Sequence, residues 1–145
     1  MIVASFIFKQ LELMIIMIYM PPNQTQIVII GDLNCIVDPE LDRSSILKYS
    51  SFKKEPILRW LIGQDFKDSF RIANPRSKEF SWTNGESSTR IDQIWMTEKL
   101  ASGLIDAEIQ NMSNCTNSDH GAAVAKLELN HITAWHKVSK LKKLE

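Results

Sequence analysis

Five side chains suited to phosphodiester chemistry fall within three short signatures, Gly31-Asp32-Leu33-Asn34, Arg90-Ile91-Asp92 and Ser118-Asp119-His120. They supply three carboxylates, one amide and one imidazole. A phosphodiester resists hydrolysis because its anionic centre repels nucleophiles and its leaving oxygen must be neutralised. A hard divalent cation held by carboxylates meets both needs, acting as Lewis acid and template. The protein must add a group that positions or deprotonates water, and a donor for the charge that builds on the phosphoryl oxygens. Asn34 suits the water or a phosphate oxygen, and Asp119 suits a metal. Asp92 and His120 suit each other, the carboxylate fixing the tautomer and raising the imidazole pKa so that it meets the phosphate as a cation.

These residues need strand ends to hold them. Ile27-Val28-Ile29-Ile30 is apolar at every position, which predicts a central strand covered on both faces, with Asp32 just past its end. Ile2–Phe8 and Leu13–Tyr19 read as two further buried strands, the second stopped by Pro21-Pro22-Asn23. Lys9, Gln10 and Glu12 interrupt that apolar stretch, which excludes a membrane span of ~20 residues. Cys35–Ser51 reads as a long loop. Pro56 suits a first helical turn, and Ile57, Leu58, Leu61 and Ile62 form an apolar stripe ending at Gly63.

Further on, Phe66–Ile72 predicts a short helix or turn closed by Asn74-Pro75. Phe80-Ser81-Trp82-Thr83 predicts a strand, and Asn84-Gly85 a turn. Ile91–Thr97 is a strand and Leu100–Leu104 a brief helical turn. Ile105, Ala107 and Ile109 alternate with polar residues, as do Ala123, Ala125, Leu127 and Leu129, so both segments predict half-exposed strands.

The bulk numbers fit one domain: 145 residues, 44% hydrophobic and 23% charged, with zero net charge. No overall field would draw such a chain onto nucleic acid, so a nucleic-acid substrate requires a local patch. Cys35 and Cys115 have no metal-site spacing and read as free, buried thiols. Singly, Asp32 and Asn34 are ordinary turn formers. His131 and His136 read as plain polar side chains, and Trp60, Trp82 and Trp95 as core. Residues 1–130 form the domain, and 131–145, with four lysines, a loosely ordered basic tail.

In their order and strand contexts the three signatures resemble the later motifs of the endonuclease/exonuclease/phosphatase superfamily, the DNase I-like fold. Asp68-Ser69-Phe70-Arg71, Asn74-Pro75, Phe80-Ser81-Trp82-Thr83 and Arg90-Ile91-Asp92-Gln93-Ile94-Trp95 are most similar to the endonuclease domain of LINE-type non-LTR retrotransposons. The resemblance runs from about Leu13 to Leu129. It implies an α/β (α+β) sandwich of two packed mixed β-sheets flanked by helices. It implies Mg²⁺- or Mn²⁺-dependent endonucleolytic cleavage of nucleic acid, DNA ahead of RNA, with no membrane partner. By position, Asp32 orients or activates water, Asn34 supports it, and Asp92 pairs with His120. His120 contacts the phosphate and Asp119 helps to hold the metal. Which of Asp32 and His120 acts as base stays open. Tyr19, ahead of a proline-asparagine turn, resembles the family's active-site tyrosine.

The family's amino-terminal strand pair, which carries an asparagine and a metal-binding glutamate, has no counterpart in Met1–Glu12. Glu12 is the only acidic residue there, and its neighbours do not match. Pro21–Gln26 also leaves no room for the family's helix. The expectation is therefore a domain lacking its amino-terminal part, with weakly held metal, low or absent catalysis, and self-association through incomplete sheets. Three other readings stand beside it: a non-catalytic remnant that binds nucleic acid or protein, another phosphoesterase of the same superfamily such as a phosphatase or sphingomyelinase, and an unrelated globular interaction domain. The location expected is intracellular, in cytoplasm or nucleus.

Overall fold

The computed structural model describes residues 2–8, 11–20, 24–44, 55–112 and 118–128. Cys115, the Pro21-Pro22-Asn23 stop, Leu129, residues 45–51 of the expected loop, His131, His136 and the 131–145 tail lie outside them. The strands are β1 (Ile2–Phe8), β2 (Leu11–Met20), β3 (Gln24–Asp32), β4 (Lys67–Asp68), β5 (Trp82–Thr83), β6 (Ser88–Thr89), β7 (Asp92–Met96), β8 (Leu104–Gln110) and β9 (Ala122–Leu127). The helices are α1 (Pro56–Gly63), α2 (Ser69–Ala73) and α3 (Glu98–Ala101). The chain is thus mixed α/β, with a five-stranded sheet ordered β1-β2-β3-β7-β4 and two separate hairpins, β5-β6 and β8-β9.

Every described strand pairing is antiparallel, where mixed sheets were expected. For β1-β2 and β2-β3 the cause is connection length. Parallel neighbours need a crossover of about a dozen residues, whereas β2 ends at Met20 and β3 starts at Gln24.

β3 is interior, as its unbroken apolar run demands, and its two faces serve two cores. Ile29, opposite Trp95, packs with Leu33, Cys35, Leu58, Leu61 and Phe66 on the face that α1 covers. Leu58 and Leu61 are wholly buried there, each removal from water worth about 1.5–3 kcal/mol. Ile62, at the edge of the stripe, stays exposed, as does Trp60, whose ring lies 5.8 Å from Phe66. Val28, Ile94, Met96 and Leu100 form the opposite core, over which Leu104, Ala123, Ala125 and Leu127 close. The β8-β9 hairpin is therefore the second layer of a sandwich, and α1 is a third layer on the other side.

β8 departs from simple alternation. Its register shifts between Leu104 and Asp106, and the bulge extrudes Ile105 to solvent while Ala107 is buried. At the β5-β6 turn Gly85 takes φ +88°, a backbone that side-chain-bearing residues rarely adopt. No described helix is long and apolar enough to cross a membrane.

Candidate active site

Alternation along β3 and β7 places Asp32 and Asp92 on the same face as Val28, Ile30, Ile94 and Met96, the face that β9 covers. The two are direct cross-strand partners at the end of the sheet. Past Asp32 the backbone turns sharply: Asn34 has φ 49°, and its amide donates to Asp32 Oδ1 at 2.8 Å. Asparagine tolerates this left-handed backbone better than most residues. The turn-forming role and the chemical one thus coexist in the same two residues.

His120 reaches the pair from the other layer. Just ahead of β9, it forms an isolated antiparallel bridge with Trp82 of the β5-β6 hairpin, and Gly121 N–H donates to Ser81 O at 2.6 Å. The Ser118 hydroxyl accepts the His120 amide at 3.1 Å. So placed, the imidazole donates from Nδ1 to Asp92 Oδ2 at 2.9 Å. One ligating atom from each of Asp32, Asp92 and His120 lies within 4.8 Å of the others. Burial lowers the His120 pKa. The Asp92 hydrogen bond and charge, with Asp32 and Asp119 behind them, outweigh that and hold it above the ordinary histidine value.

Asp92 is itself held by a residue that the sequence did not single out. The hydroxyl of Ser81, buried at 2% exposure, accepts the amides of Ile91 and Asp92 at 3.1 and 2.9 Å. Gln93, on the opposite face, donates from Nε2 to Cys35 O at 2.7 Å and accepts Trp95 Nε1 at 2.8 Å. Leu33 N–H donates to Ile91 O at 2.9 Å. The turn after β3 is thereby tied to the start of β7. A serine between two aromatic residues carried only a strand signal, so nothing local marked this cap.

Asp119 stands beside the trio, and its Oδ2 accepts the indole Nε1 of Trp82 at 2.8 Å. Trp82 is therefore not a core residue. With Lys78, Phe80, Ile109, Asp119 and His120 it lines an open cleft of about 520 Å³ next to the imidazole. Trp60 also lies outside the core, at 51% exposure, whereas Trp95 is buried as expected. Cys35 is a buried free thiol, its pKa pushed up to about 12 by burial and by the nearby Glu55 and Asp32 charges.

Tyr19 is not brought to the trio. It pairs with Thr25, seven residues along β3 from Asp32 (25 to 32), roughly 23 Å at ~3.3 Å per residue. The short β2-β3 connection is again the reason, since an antiparallel hairpin sends the end of β2 away from the end of β3. The same hairpin makes Glu12 the cross-strand partner of Asp32. Sequence reasoning set Glu12 aside because its neighbours fit no motif; register alone brings it there.

A hard divalent ion is bound through one or two carboxylates and keeps several waters. The oxygens of Asp32 and Asp92 fit that requirement, whereas Asp119, expected from the sequence to hold the metal, binds Trp82 and is not among the ligating atoms that lie within 4.8 Å of one another. No protein-family model matches the chain, and no curated protein matches it either.

Proposed function

We propose that this chain is a DNase I-like phosphodiesterase domain of the endonuclease/exonuclease/phosphatase type, acting on nucleic acid as a retroelement endonuclease does. The observation that carries the reading is the convergence of Asp32, Asp92 and His120, from three separate signatures, at one sheet end with ligating atoms within 4.8 Å. A five-stranded sheet faced by a hairpin and by a helix is compatible with that architecture.

In this reading Asp92 keeps the proton on Nδ1 of His120, which turns Nε2 toward the incoming phosphate. The raised pKa favours the charged ring, which suits an anionic phosphoryl oxygen. Asp32, anchored by the Asn34 amide, aligns the attacking water, and the Asn34 side chain supports it. A bound Mg²⁺ or Mn²⁺ would supply Lewis acidity and neutralise the leaving oxygen, with Asp32, Asp92 and Asp119 as its holders. The cleft beside His120, with an aromatic wall and Lys78, offers room for the sugar and base next to the phosphate. DNA is the favoured substrate, and the metal is weakly held.

A plasmid-nicking assay with Mg²⁺ tests this on wild type, His120→Ala and Asp32→Ala. Nicking by wild type that falls at least 100-fold in both variants supports the reading. A folded wild type that nicks at no Mg²⁺ or Mn²⁺ concentration overturns it, and favours the reading of a non-catalytic remnant that binds nucleic acid or protein.

A further inference from the structure

Four charged residues outside the trio form a closed, mostly buried tetrad. Arg90 has no exposed surface, and its guanidinium donates to both carboxylate oxygens of Asp42 at 2.8 and 3.2 Å and to both of Asp68 at 3.2 and 2.6 Å. Arg71 completes the set with an ion pair to Asp42, and donates to Asn74 O at 3.2 Å and Ser77 O at 2.8 Å. The Phe70 ring contacts both guanidiniums, with Arg71 Cζ at 5.2 Å and Arg90 Cζ at 5.1 Å from its centroid. Two cations and two anions cancel. Burial of this kind is expensive, and it is tolerated only when nearly every donor and lone pair is used.

The tetrad joins segments that the trio needs fixed. Asp42 Oδ2 accepts the amides of Val37 and Asp38 at 3.0 and 2.9 Å, and Asp42 O accepts the Arg90 amide at 2.9 Å. It thereby folds the loop that starts at Asn34 back onto the strand that starts at Asp92. Asp68 caps α2 through the Phe70 amide at 3.1 Å, and so ties that helix to Arg90. Hydrophobic contact would hold these segments together; bidentate pairs also set their spacing and angle.

We propose that Arg90, with Asp42, Asp68 and Arg71, is the positioning device that sets Asp32–Asn34 against Asp92 and so against His120. The inference rests on the phosphodiesterase reading for its purpose, while its geometry can be tested without activity. Hydrogen exchange of single amides by NMR is measured on the full chain as wild type, Arg90→Lys, Asp42→Asn and the milder Arg71→Lys. Lysine keeps the charge but cannot hold two carboxylates in fixed geometry.

Expected is a selective loss: tenfold or greater loss of protection at Leu33, Ile91 and Asp92, with Val28, Ile29, Ile94 and Met96 unchanged. The hydrogen-bonded Nδ1 proton resonance of His120 should broaden or vanish in the same variants. If wild type nicks DNA, kcat should fall at least tenfold in Arg90→Lys while KM changes little. Uniform loss of protection across β3 and β7, or unchanged Leu33 and Asp92 with an intact His120 resonance, overturns the proposal. Should Arg90→Lys fail to fold, the same criteria apply to Arg71→Lys, whose target is 14% exposed at the side chain. A wild type that does not nick refutes the phosphodiesterase reading, and the exchange pattern still decides the positioning role.

Discussion

The Nδ1 of His120 sits 2.9 Å from Asp92 Oδ2, across 28 residues of sequence and from one sandwich layer to the other. Asp92 opens β7 and His120 lies just ahead of β9, and the Ser81–Trp82 segment ties to both, through the Ser81 hydroxyl on the Asp92 amide and the bridge from Trp82 to His120. The contact therefore reports whether the two layers are correctly docked.

Its titration gives the first prediction. Because folding raises the His120 pKa, the folded state holds the proton more tightly than the unfolded one. That stabilisation is complete below the unfolded value near 6.5 and is lost as pH rises through the folded value. NMR titration of the ring should give a value above 6.5 in wild type and a lower one in Asp92→Asn. Chemical denaturation should show wild type losing stability across that window while the variant changes less.

Asp42 has the opposite sign. Burial raises its pKa, but the hydrogen bond and charge of Arg90, with Arg71 and the Asp38 amide, hold it below the ordinary 3.8. Its contribution is present above 3.8 and disappears as pH falls through the folded value. Asp42→Ala should cost about 3–5 kcal/mol at neutral pH, because it strands part of a buried guanidinium. The gap between variant and wild type should narrow in acid-denaturation curves below pH 3.8.

Ser81→Ala removes the hydroxyl that accepts two amides, those of Ile91 and Asp92, in a buried place. A cost of about 1–3 kcal/mol is expected from urea unfolding. If the wild type nicks DNA, the rate should fall further than that loss of folded population explains, because the Asp92 backbone is released.

Ile105→Thr should change stability by less than about 0.5 kcal/mol, since the bulge leaves Ile105 at 59% exposure. Alternation along Ile105, Ala107 and Ile109 implies an inward residue and a cost typical of core truncation. Thermal unfolding separates the two.

That last case shows where sequence reasoning ends. Period-2 alternation was legible for β9, whose Ala123, Ala125 and Leu127 face the core, and an unbroken apolar run identified β3 as interior. Pro56 and Gly63 marked α1, and Asn84-Gly85 marked a hairpin turn. A bulge shifts register without any distinctive residue, so Ile105 was misread. The partnership of Asp32, Asp92 and His120 was legible because each carries its own signature. The tetrad was not. Asp42 lies in an aperiodic loop and Asp68 at a helix cap, and only the fold shows that both meet Arg90. Tyr19 was misplaced for a related reason, because a motif fixes local sequence and not the direction in which a strand runs.

Asp32 and Asp92 face each other on the face of the sheet that also carries Val28, Ile30, Ile94 and Met96. Sliding β7 by a single position against β3 would turn its acid toward α1 and push Trp95 onto the hairpin side. Mispaired folding intermediates would therefore lack both chemistry and core at once. Packing of the interior alone thus holds positions 32 and 92 opposite one another, whichever side chains they carry.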